Sequence, residues 1–481
     1  MRKLLPVKSK LISWLIVSVL VSLGVLLLNW WLGTDPVTNL VEFVPGMDGR
    51  PAVKSITDIV VRIGEFSRTF DGVPANITGG WPRFRGRESR NIATDAVSLA
   101  DRWGPEGPEI LWSVDLGEGH AAPAVLNGRV YVLDYDEEQK ADALRCFSLE
   151  DGREIWRRWY TVHVKRNHGM SRTIPAVTER FVVTTGPRCH VMCVDAQSGD
   201  LLWGIDLERE YGTEVPLWYT GQCPLIDEAI TVIAPGGSAL LIGVDCATGE
   251  IVWETPNPHG WGMSHSSVMP MTLKGVKMYV YCALGGVAGV AARGDRRGEI
   301  LWETDAWNPN VAVPSPVIFD DGRIFLTAGY GYGSMMLQVR DKNGIFNVEP
   351  LYRLTPKDGL ACEQQTPVLY QGYLFGVLPK DAGDLRNQFV CFDPEGTMVW
   401  TSGKTNRFGL GPYLVADDKF YVLSDDGVLT MMQASTSEYI ELGHASVLEG
   451  QDSWGPLALA SGRMILRDSR RMVCIDISAR E

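Results

Sequence analysis

A short motif recurs along this chain: a glycine, three residues and then a tryptophan. The copies are Gly152 to Trp156, Gly199 to Trp203, Gly249 to Trp253, Gly298 to Trp302 and Gly396 to Trp400. The first four lie about 50 residues apart, and the last follows after about twice that distance, as if one copy had lost its tryptophan. A period of roughly 40 to 50 residues is typical of one four-stranded β-propeller blade. The sequence therefore predicts a ring of repeated blades.

A series of prolines counts the same unit independently. Each proline is followed by apolar residues, and neighbours in the series lie about 50 residues apart. The series consists of Pro123, Pro175, Pro224, Pro270, Pro316, Pro367, Pro412 and Pro456. Proline is tolerated at the start of a strand or on a sheet edge, where its missing N–H leaves no ladder bond unmade. Each proline therefore predicts the start of an innermost strand, beside the central channel.

The two ends of the repeat predict how the ring closes. Residues 109–116 (EILWSVDL) form a fourth strand with no unit before it, and the last unit stops at Ile477 without a fourth strand. An N-terminal strand that completes the C-terminal blade removes two open sheet edges. We therefore expect an all-β, eight-bladed propeller, or seven blades if the weak unit at 408–446 is not a blade. The tryptophans expected between blades are Trp112, Trp156, Trp203, Trp253, Trp302 and Trp400.

The N-terminus carries one apolar run. Residues 11–28 contain no charge and residues 29–32 extend the run. At about 1.5 Å per residue this makes a helix of about 33 Å, enough to cross a hydrocarbon core of about 30 Å. The basic residues before it, Arg2, Lys3, Lys8 and Lys10, predict a cytoplasmic N-terminus. A cleaved signal peptide is the alternative, but the run is long and no A-x-A site follows it.

These features predict three parts. We expect residues 1–33 to be a cytoplasmic tail and a single-pass transmembrane anchor in the cytoplasmic (inner) membrane. Residues 34–108 are predicted to be an extracytoplasmic linker, with one strand at 59–63 and the segment WPRFRG at 81–86 leading into the ring. Residues 109–481 are predicted to form the propeller, in the periplasm or outside the cell.

The charge balance bears on the partner. The chain has 45 basic against 58 acidic residues, a net charge of −13, and about −17 once the four N-terminal basic residues are set aside. Phosphate binding needs the opposite sign, so nucleic acid is a poor partner for the exported part.

Nine cysteines in an exported chain raise the question of disulfides, and the sequence leaves the redox state of five of them open: Cys189, Cys223, Cys246, Cys282 and Cys362. The other four occupy one repeated position in different blades, too far apart for a disulfide, and we expect them to be buried small hydrophobes. These four are Cys146, Cys193, Cys391 and Cys474. Cys189, His190 and Cys193 could be taken for zinc ligands, but in a strand the two thiols would be about 13 Å apart. No metal site is therefore expected.

Two of the repeats carry a family resemblance. The stretches VDAQSGDLLW at 194–203 and VDCATGEIVW at 244–253 resemble the tryptophan-docking repeat of quinoprotein alcohol dehydrogenases, the pyrroloquinoline-quinone repeat. They are also similar to the non-enzymatic propeller of the bacterial outer-membrane protein assembly machinery, and WPRFRG resembles uncharacterised bacterial quinone-repeat propellers. The resemblance implies the fold over about residues 81–481.

The resemblance also raises the question of a cofactor. The enzymes of this group bind pyrroloquinoline quinone and calcium at the channel mouth, many beneath a disulfide of two adjacent cysteines. This chain has no Cys-Cys pair, and no stretch aligns with the family's calcium ligands. We therefore expect no cofactor, with pyrroloquinoline quinone and calcium as the alternative, for which Glu363 would be the candidate base.

Residues just before each innermost strand are expected to rim one channel mouth. The candidate ligand-binding residues there are His120, Arg172, Gln222, His265, Glu363, Gln364 and Trp454. Histidine, amide, arginine and aromatic groups together suit a polar ligand or a peptide, although a solvated rim has the same composition. Aromatic loops at Trp218-Tyr219, Trp261 and Trp307, and a basic loop at 157–172, could add binding surface.

The sequence favours a membrane-anchored binding or scaffolding module for an extracytoplasmic protein partner, with no catalytic residue nominated. A quinone-dependent alcohol or sugar dehydrogenase is the alternative. A surface for polysaccharide is a third hypothesis.

Overall fold

The computed structural model describes residues 7–33, 60–94, 97–450 and 452–479. The chain divides into two compact units, Met1–Val60 and Val61–Glu481. In the first unit, the helix α1 spans Val7–Gly33. Its part from Trp14 to Gly33 is long and apolar enough to cross a membrane, as a single-pass anchor or a signal sequence would. The first part of the predicted linker, residues 34–59, lies outside the described residues.

The second unit consists of eight antiparallel sheets, each built around four strands. The strands of blades 1 to 4, from first to fourth, are Ala124–Leu126, Arg129–Asp136, Ala141–Ser148 and Glu154–Thr161; Ala176–Val177, Phe181–Thr185, His190–Asp195 and Leu201–Asp206; Leu225–Asp227, Ile230–Ile233, Ala239–Asp245 and Ile251–Pro256; Met269–Leu273, Val276–Ala283, Gly286–Ala291 and Ile300–Thr304. Those of blades 5 to 8 are Val317–Ile318, Arg323–Ala328, Gly333–Lys342 and Ile345–Leu354; Val368–Tyr370, Tyr373–Val377, Phe389–Phe392 and Met398–Thr401; Tyr413–Ala416, Lys419–Leu423, Val428–Gln433 and Glu441–Ser446; Ala458–Ala460, Arg463–Arg467, Arg471–Asp476 and, from the N-terminal side, Glu109–Asp115. A short helix, Leu207–Tyr211, follows blade 2, and a 3-10 turn spans Gly383–Leu385.

The ring closes as predicted. The strand Glu109–Asp115 pairs antiparallel with Arg471–Asp476, which places Trp112 opposite Cys474. First strands contact one another around the channel between blades 1 and 2, 2 and 3, and 4 and 5, and also between blades 8 and 1. The weak unit at 408–446 is a complete four-stranded sheet. The eight-bladed, all-β prediction is therefore confirmed.

The repeated tryptophans fill the space between adjacent blades. A Cβ atom added to Gly199, in the turn of blade 2, would lie 2.6 Å from the Trp156 ring of blade 1. The indole N–H of Trp203 donates to the carbonyl of Cys246 in the next blade at 2.9 Å. Glycine at this turn has positive φ, +72° at Gly199, so the residue gives both the turn and the room for the ring.

Two blades lack the tryptophan, and the structure shows what replaces it. In blade 5, Tyr352 pairs with Met336 at the tryptophan's register position. In blade 7 this position is Gly443, opposite Met431. Trp103, from the segment before the ring, lies beside Gly443, where an added Cβ would be 4.0 Å from its ring, and 6.4 Å from Tyr421 between ring centroids. An N-terminal side chain therefore fills the gap in blade 7.

Residues 80–94 cross the channel beneath the ring, and we call this segment the plug. Its first residues, Gly80 and Trp81, pair with the first strand of blade 1. Further along, the plug bonds the inner ends of other blades: the Val177 N–H donates to Pro82, Arg83 donates to Ile226, Arg85 to Thr366 and Pro367, Asn91 to Tyr413, and the Ala93 N–H to Val415. First strands line the channel. A segment bonded to the first strands of blades 1, 2, 3 and 7, and to the residues just before that of blade 6, therefore closes that mouth.

The remaining segment and the cysteines complete the fold. Residues 60–63 are not a strand, contrary to the sequence prediction; the strand here is Phe66–Thr69, because it pairs with the outer strand of blade 1. All nine cysteines are buried and free. Cys146, Cys193, Cys391 and Cys474 all lie opposite a tryptophan in the strand register.

Candidate functional site

The channel mouth opposite the plug holds a cavity of about 130 Å³. A buried water needs roughly 10 to 15 Å³ of such volume, so the cavity has room for several waters. Five of the seven predicted rim residues line it: His120, Arg172, His265, Gln364 and Trp454. Phe84 of the plug also lines it, so the plug both closes the channel and forms the floor of the site.

The loops that precede the first strands position these side chains. Arg172 stands three residues before Pro175, and Trp454 two before Pro456. The backbone of His120 donates to the carbonyl of Ser171 in the next blade at 2.7 Å. Neighbouring rim loops are therefore bonded to one another, which holds the wall of the cavity in place.

Arg172 contributes the positive charge of the cavity. Its Nε donates to the carbonyl of Trp218 at 2.6 Å, and its Nη2 donates to the carbonyls of His168 at 2.7 Å and Asn167 at 3.0 Å. Burial lowers the pKa of Arg172 to about 10, so the guanidinium stays charged at neutral pH.

The two cavity histidines are neutral. Burial, with Arg172 and Arg467 nearby, lowers the pKa of His120 to about 3. Burial and Arg172 lower that of His265 to about 4. The Nε2 of His120 lies 3.1 Å from the carbonyl of His168. Above about pH 5 these rings therefore offer hydrogen-bonding and stacking surface without charge.

Aromatic rings form the wall. Trp218 stacks on His265, with centroids 6.1 Å apart and planes at 26°, and on Tyr330, at 5.9 Å and 28°. On the other side His120 lies 4.9 Å from Trp454. Trp218 and Tyr219 both adopt left-handed backbone conformations, with φ of 65° and 70°. Such strain in consecutive non-glycine residues costs of order 1 kcal/mol or more each and is concentrated at functional sites.

Two predicted rim residues do not face the cavity. The Gln222 amide is fully used in the fold, because Nε2 donates to the carbonyl of Ala234 at 3.1 Å and Oε1 accepts from its N–H at 2.9 Å. Glu363 is buried and paired with Lys380 at 3.3 Å. Sequence order placed both residues correctly before a first strand, but the direction of a side chain is decided by its neighbours.

The other surface features predicted from the sequence have different outcomes. Trp218 lines the cavity, whereas Trp261 and Trp307 are buried in the core. In the basic loop, Arg157 pairs with Glu154 and Arg166 with Glu118, so it is not a free cluster of positive charge. Phe84 and Tyr330 line the cavity, but the sequence does not predict them as rim residues, because neither stands just before a first strand. The only sequence signal near Tyr330 is the glycine-rich stretch GYGYG at 329–333.

The residues present do not fit a calcium-held quinone. Among the described residues no group of three or more histidine, cysteine or carboxylate side chains could hold a metal ion. The rim carboxylate Glu363 pairs through Oε1 with Lys380, while its buried Oε2 has no hydrogen-bond partner among the described residues. The cavity lining offers calcium no carboxylate. Calcium in proteins takes six to eight oxygen ligands, usually including carboxylates.

Geometry and comparison together identify the protein class. A closed ring of eight blades, plugged at one mouth and holding a cavity at the other, is a β-propeller with a one-sided binding cavity. The family model described as outer membrane protein assembly factor BamB matches residues 140–377. This match, over just under half of the chain, and the solved structures below support its likeness to the pyrroloquinoline-quinone-repeat β-propellers.

Solved structures show the same fold. The crystal structure of BamB from Moraxella catarrhalis is 12% identical, with a TM-score of 0.50, and the match covers 77% of this chain and 99% of that one. The quinohemoprotein alcohol dehydrogenase ADHIIG from Pseudomonas putida HK5 is 14% identical, with a TM-score of 0.54, covering 85% of this chain and 84% of that one. At such identities the likeness concerns the fold alone. No curated protein matches the chain.

Proposed function

We propose that this protein is a membrane-anchored binding module, which holds an extracytoplasmic protein partner at the open channel mouth. The anchor is the N-terminal helix, with the N-terminus in the cytoplasm and the propeller in the periplasm or outside. The observation that carries the proposal is the cavity: it joins five rim residues, stacked aromatic rings and an arginine at an accessible mouth. Aromatic and arginine side chains are enriched where proteins bind one another.

The donor set of the mouth favours binding over quinone chemistry. A dehydrogenase of this fold would need oxygen ligands for calcium and a carboxylate near the substrate carbinol. The Glu363 carboxylate instead pairs with Lys380. Steady dye reduction by the purified protein with pyrroloquinoline quinone, calcium and an alcohol or aldose would contradict the proposal.

Site-specific photo-crosslinking in intact cells tests the location. A photoreactive residue at position 330, where Tyr330 is 46% exposed on the cavity wall, is expected to form a discrete adduct with one protein. The matched control is position 345, because Ile345 is 68% exposed on the outer hairpin of blade 5. The same adduct from both positions, or none from 330, would overturn the assignment.

A further inference from the structure

The hydrogen bonds of Arg172, which lines the cavity, differ from those of two fully buried arginines that do not line it, Arg85 and Arg467. In Arg85 and Arg467, Nε, Nη1 and Nη2 all donate to backbone carbonyls. Arg172 uses only Nε and Nη2, and its Nη1 donates to no partner among the described residues. All three guanidinium nitrogens of Arg85 and of Arg467 are therefore used within the fold. Arg172 has one nitrogen, Nη1, that can still donate a hydrogen bond to a ligand in the cavity.

The charge of Arg172 is uncompensated within the described part of the chain. It has no carboxylate within ion-pair distance there, and the residues that line the cavity include no aspartate or glutamate. Arg166, on the same loop, by contrast pairs with Glu118 at 2.7 Å. A partly buried guanidinium without a carboxylate is the complement of an anionic group, and such a charge-assisted bond is among the stronger hydrogen bonds.

The neutral surface around Arg172 suits a peptide. The amide of Gln364 lines the cavity and makes no hydrogen bond within the described residues, so it can both donate to and accept from a peptide group. Trp218 and Tyr330 present stacked rings, which offer apolar contact to the chain next to the acid. The volume, about 130 Å³, takes one side chain or one chain end.

We propose that the cavity binds a carboxylate carried by a peptide of the partner, with Arg172 as its counter-ion and Gln364 on the adjacent peptide group. The carboxylate is that of an acidic side chain or of a chain terminus. This inference rests on the proposed function and deepens it by naming the chemistry of the partner's contact.

Ligand-observed NMR with the full-length protein in detergent tests the chemistry. The probes are N-benzoylglycine, which joins a ring, a peptide bond and a carboxylate, and its uncharged amide. A third probe, an amidated phenylalanine peptide with one internal glutamate, separates side-chain from terminal carboxylates. Binding of N-benzoylglycine or of the glutamate peptide, at least tenfold tighter than the neutral amide, is expected. Equal binding of the neutral amide would overturn the proposal.

The variant Arg172→Gln is expected to lose at least tenfold in affinity for the acidic probe, and Arg166→Gln, outside the cavity lining, to bind normally. Gln364→Ala removes a side chain that the fold does not bond, and a threefold to tenfold loss is expected, which keeps the test valid if Arg172→Gln misfolds. Unchanged binding in either cavity variant would refute the assigned role. If the crosslink at position 330 persists unweakened in Arg172→Gln, the proposal of a partner site at this mouth holds. The proposal that the site recognises a carboxylate of the partner is then wrong.

Discussion

At the scale of single residues, the interface between blades 1 and 2 contains a buried acid. Asp142 is 1% exposed. Its Oδ2 accepts from the hydroxyl of Tyr160 at 2.9 Å, while Oδ1 has no hydrogen-bond partner among the described residues. Burial raises the pKa of Asp142 to about 7. The protonated form is therefore favoured in the folded state, and its ionisation costs stability as pH rises.

Replacing Asp142 by asparagine is expected to stabilise the propeller at pH 8. The pKa of Asp142 is about 7 in the folded state, above its ordinary value of 3.8. The stabilisation that the buried neutral acid gives the fold is therefore full below about pH 4 and is lost as pH rises through 7. The loss amounts to a few kcal/mol, about 4 at most. The melting temperature of Asp142→Asn is expected to exceed that of the wild type by the largest amount at pH 8, and this difference should shrink towards pH 4. The difference also cancels His190, whose pKa burial lowers to about 4.

The control for this prediction is Asp305→Asn, at an exposed carboxylate. It should leave the melting temperature unchanged at both pH values. A gap for Asp142→Asn that is constant from pH 4 to pH 8 would show that burial does not govern this acid.

The docking of tryptophan on glycine can be separated from backbone strain. Gly199 and Gly372 both have positive φ, +72° and +84°, but an added Cβ meets the Trp156 ring only at Gly199. Gly372→Ala is expected to cost about 1 kcal/mol for the left-handed backbone, and Gly199→Ala at least about 1 kcal/mol more, because the ring must move. Melting temperatures of the two variants measure this difference, and equal values would show that the contact is unimportant.

At the scale of elements, the segment before the ring is part of the propeller's construction. The plug closes one mouth, and Trp103 occupies the place of the absent tryptophan of blade 7. The ring's regular repeats are thus completed by residues that belong to no repeat.

Trp103→Ala is expected to lower the free energy of unfolding by about 2 to 4 kcal/mol, since the ring fills a gap between blades. Calorimetry should show a lower melting temperature. Leu217→Ala, at a side chain 62% exposed, serves as the control. If Trp103→Ala has the same melting temperature as that control, then Trp103 does not replace the absent tryptophan of blade 7.

The sequence repeat predicted the ring of blades, but it could not predict the parts of the site that belong to no repeat. The series of prolines marks the start of each first strand, and the residues just before a first strand lie at the rim in every blade. It therefore located five of the residues that line the cavity: His120, Arg172, His265, Gln364 and Trp454. Phe84 comes from a segment without periodicity, so only tertiary contacts bring it to the cavity. Gln222 shows the opposite case, in which a correctly placed residue turns its amide onto Ala234.

At the scale of the whole molecule, the proposed membrane anchor depends on the apolar surface of α1. Leu20→Arg would place a charge near its centre, at a cost of roughly 2.5 to 3.5 kcal/mol. The variant is expected to leave the membrane fraction on alkaline extraction, whereas the wild type stays there with residues 1–33 present by intact mass. Recovery of a shorter wild-type chain in the soluble fraction would identify a cleaved signal sequence instead.

The strand Glu109–Asp115 pairs with Arg471–Asp476. The ring therefore cannot close until synthesis of the chain is almost finished. Roughly 350 residues separate the two strands, and synthesis at about 5 to 20 residues per second takes roughly 20 to 70 s to supply them. For that time the early strand has no partner and the last blade does not exist. Each newly made chain therefore passes through a waiting period in which an open strand edge must be kept from pairing with another chain.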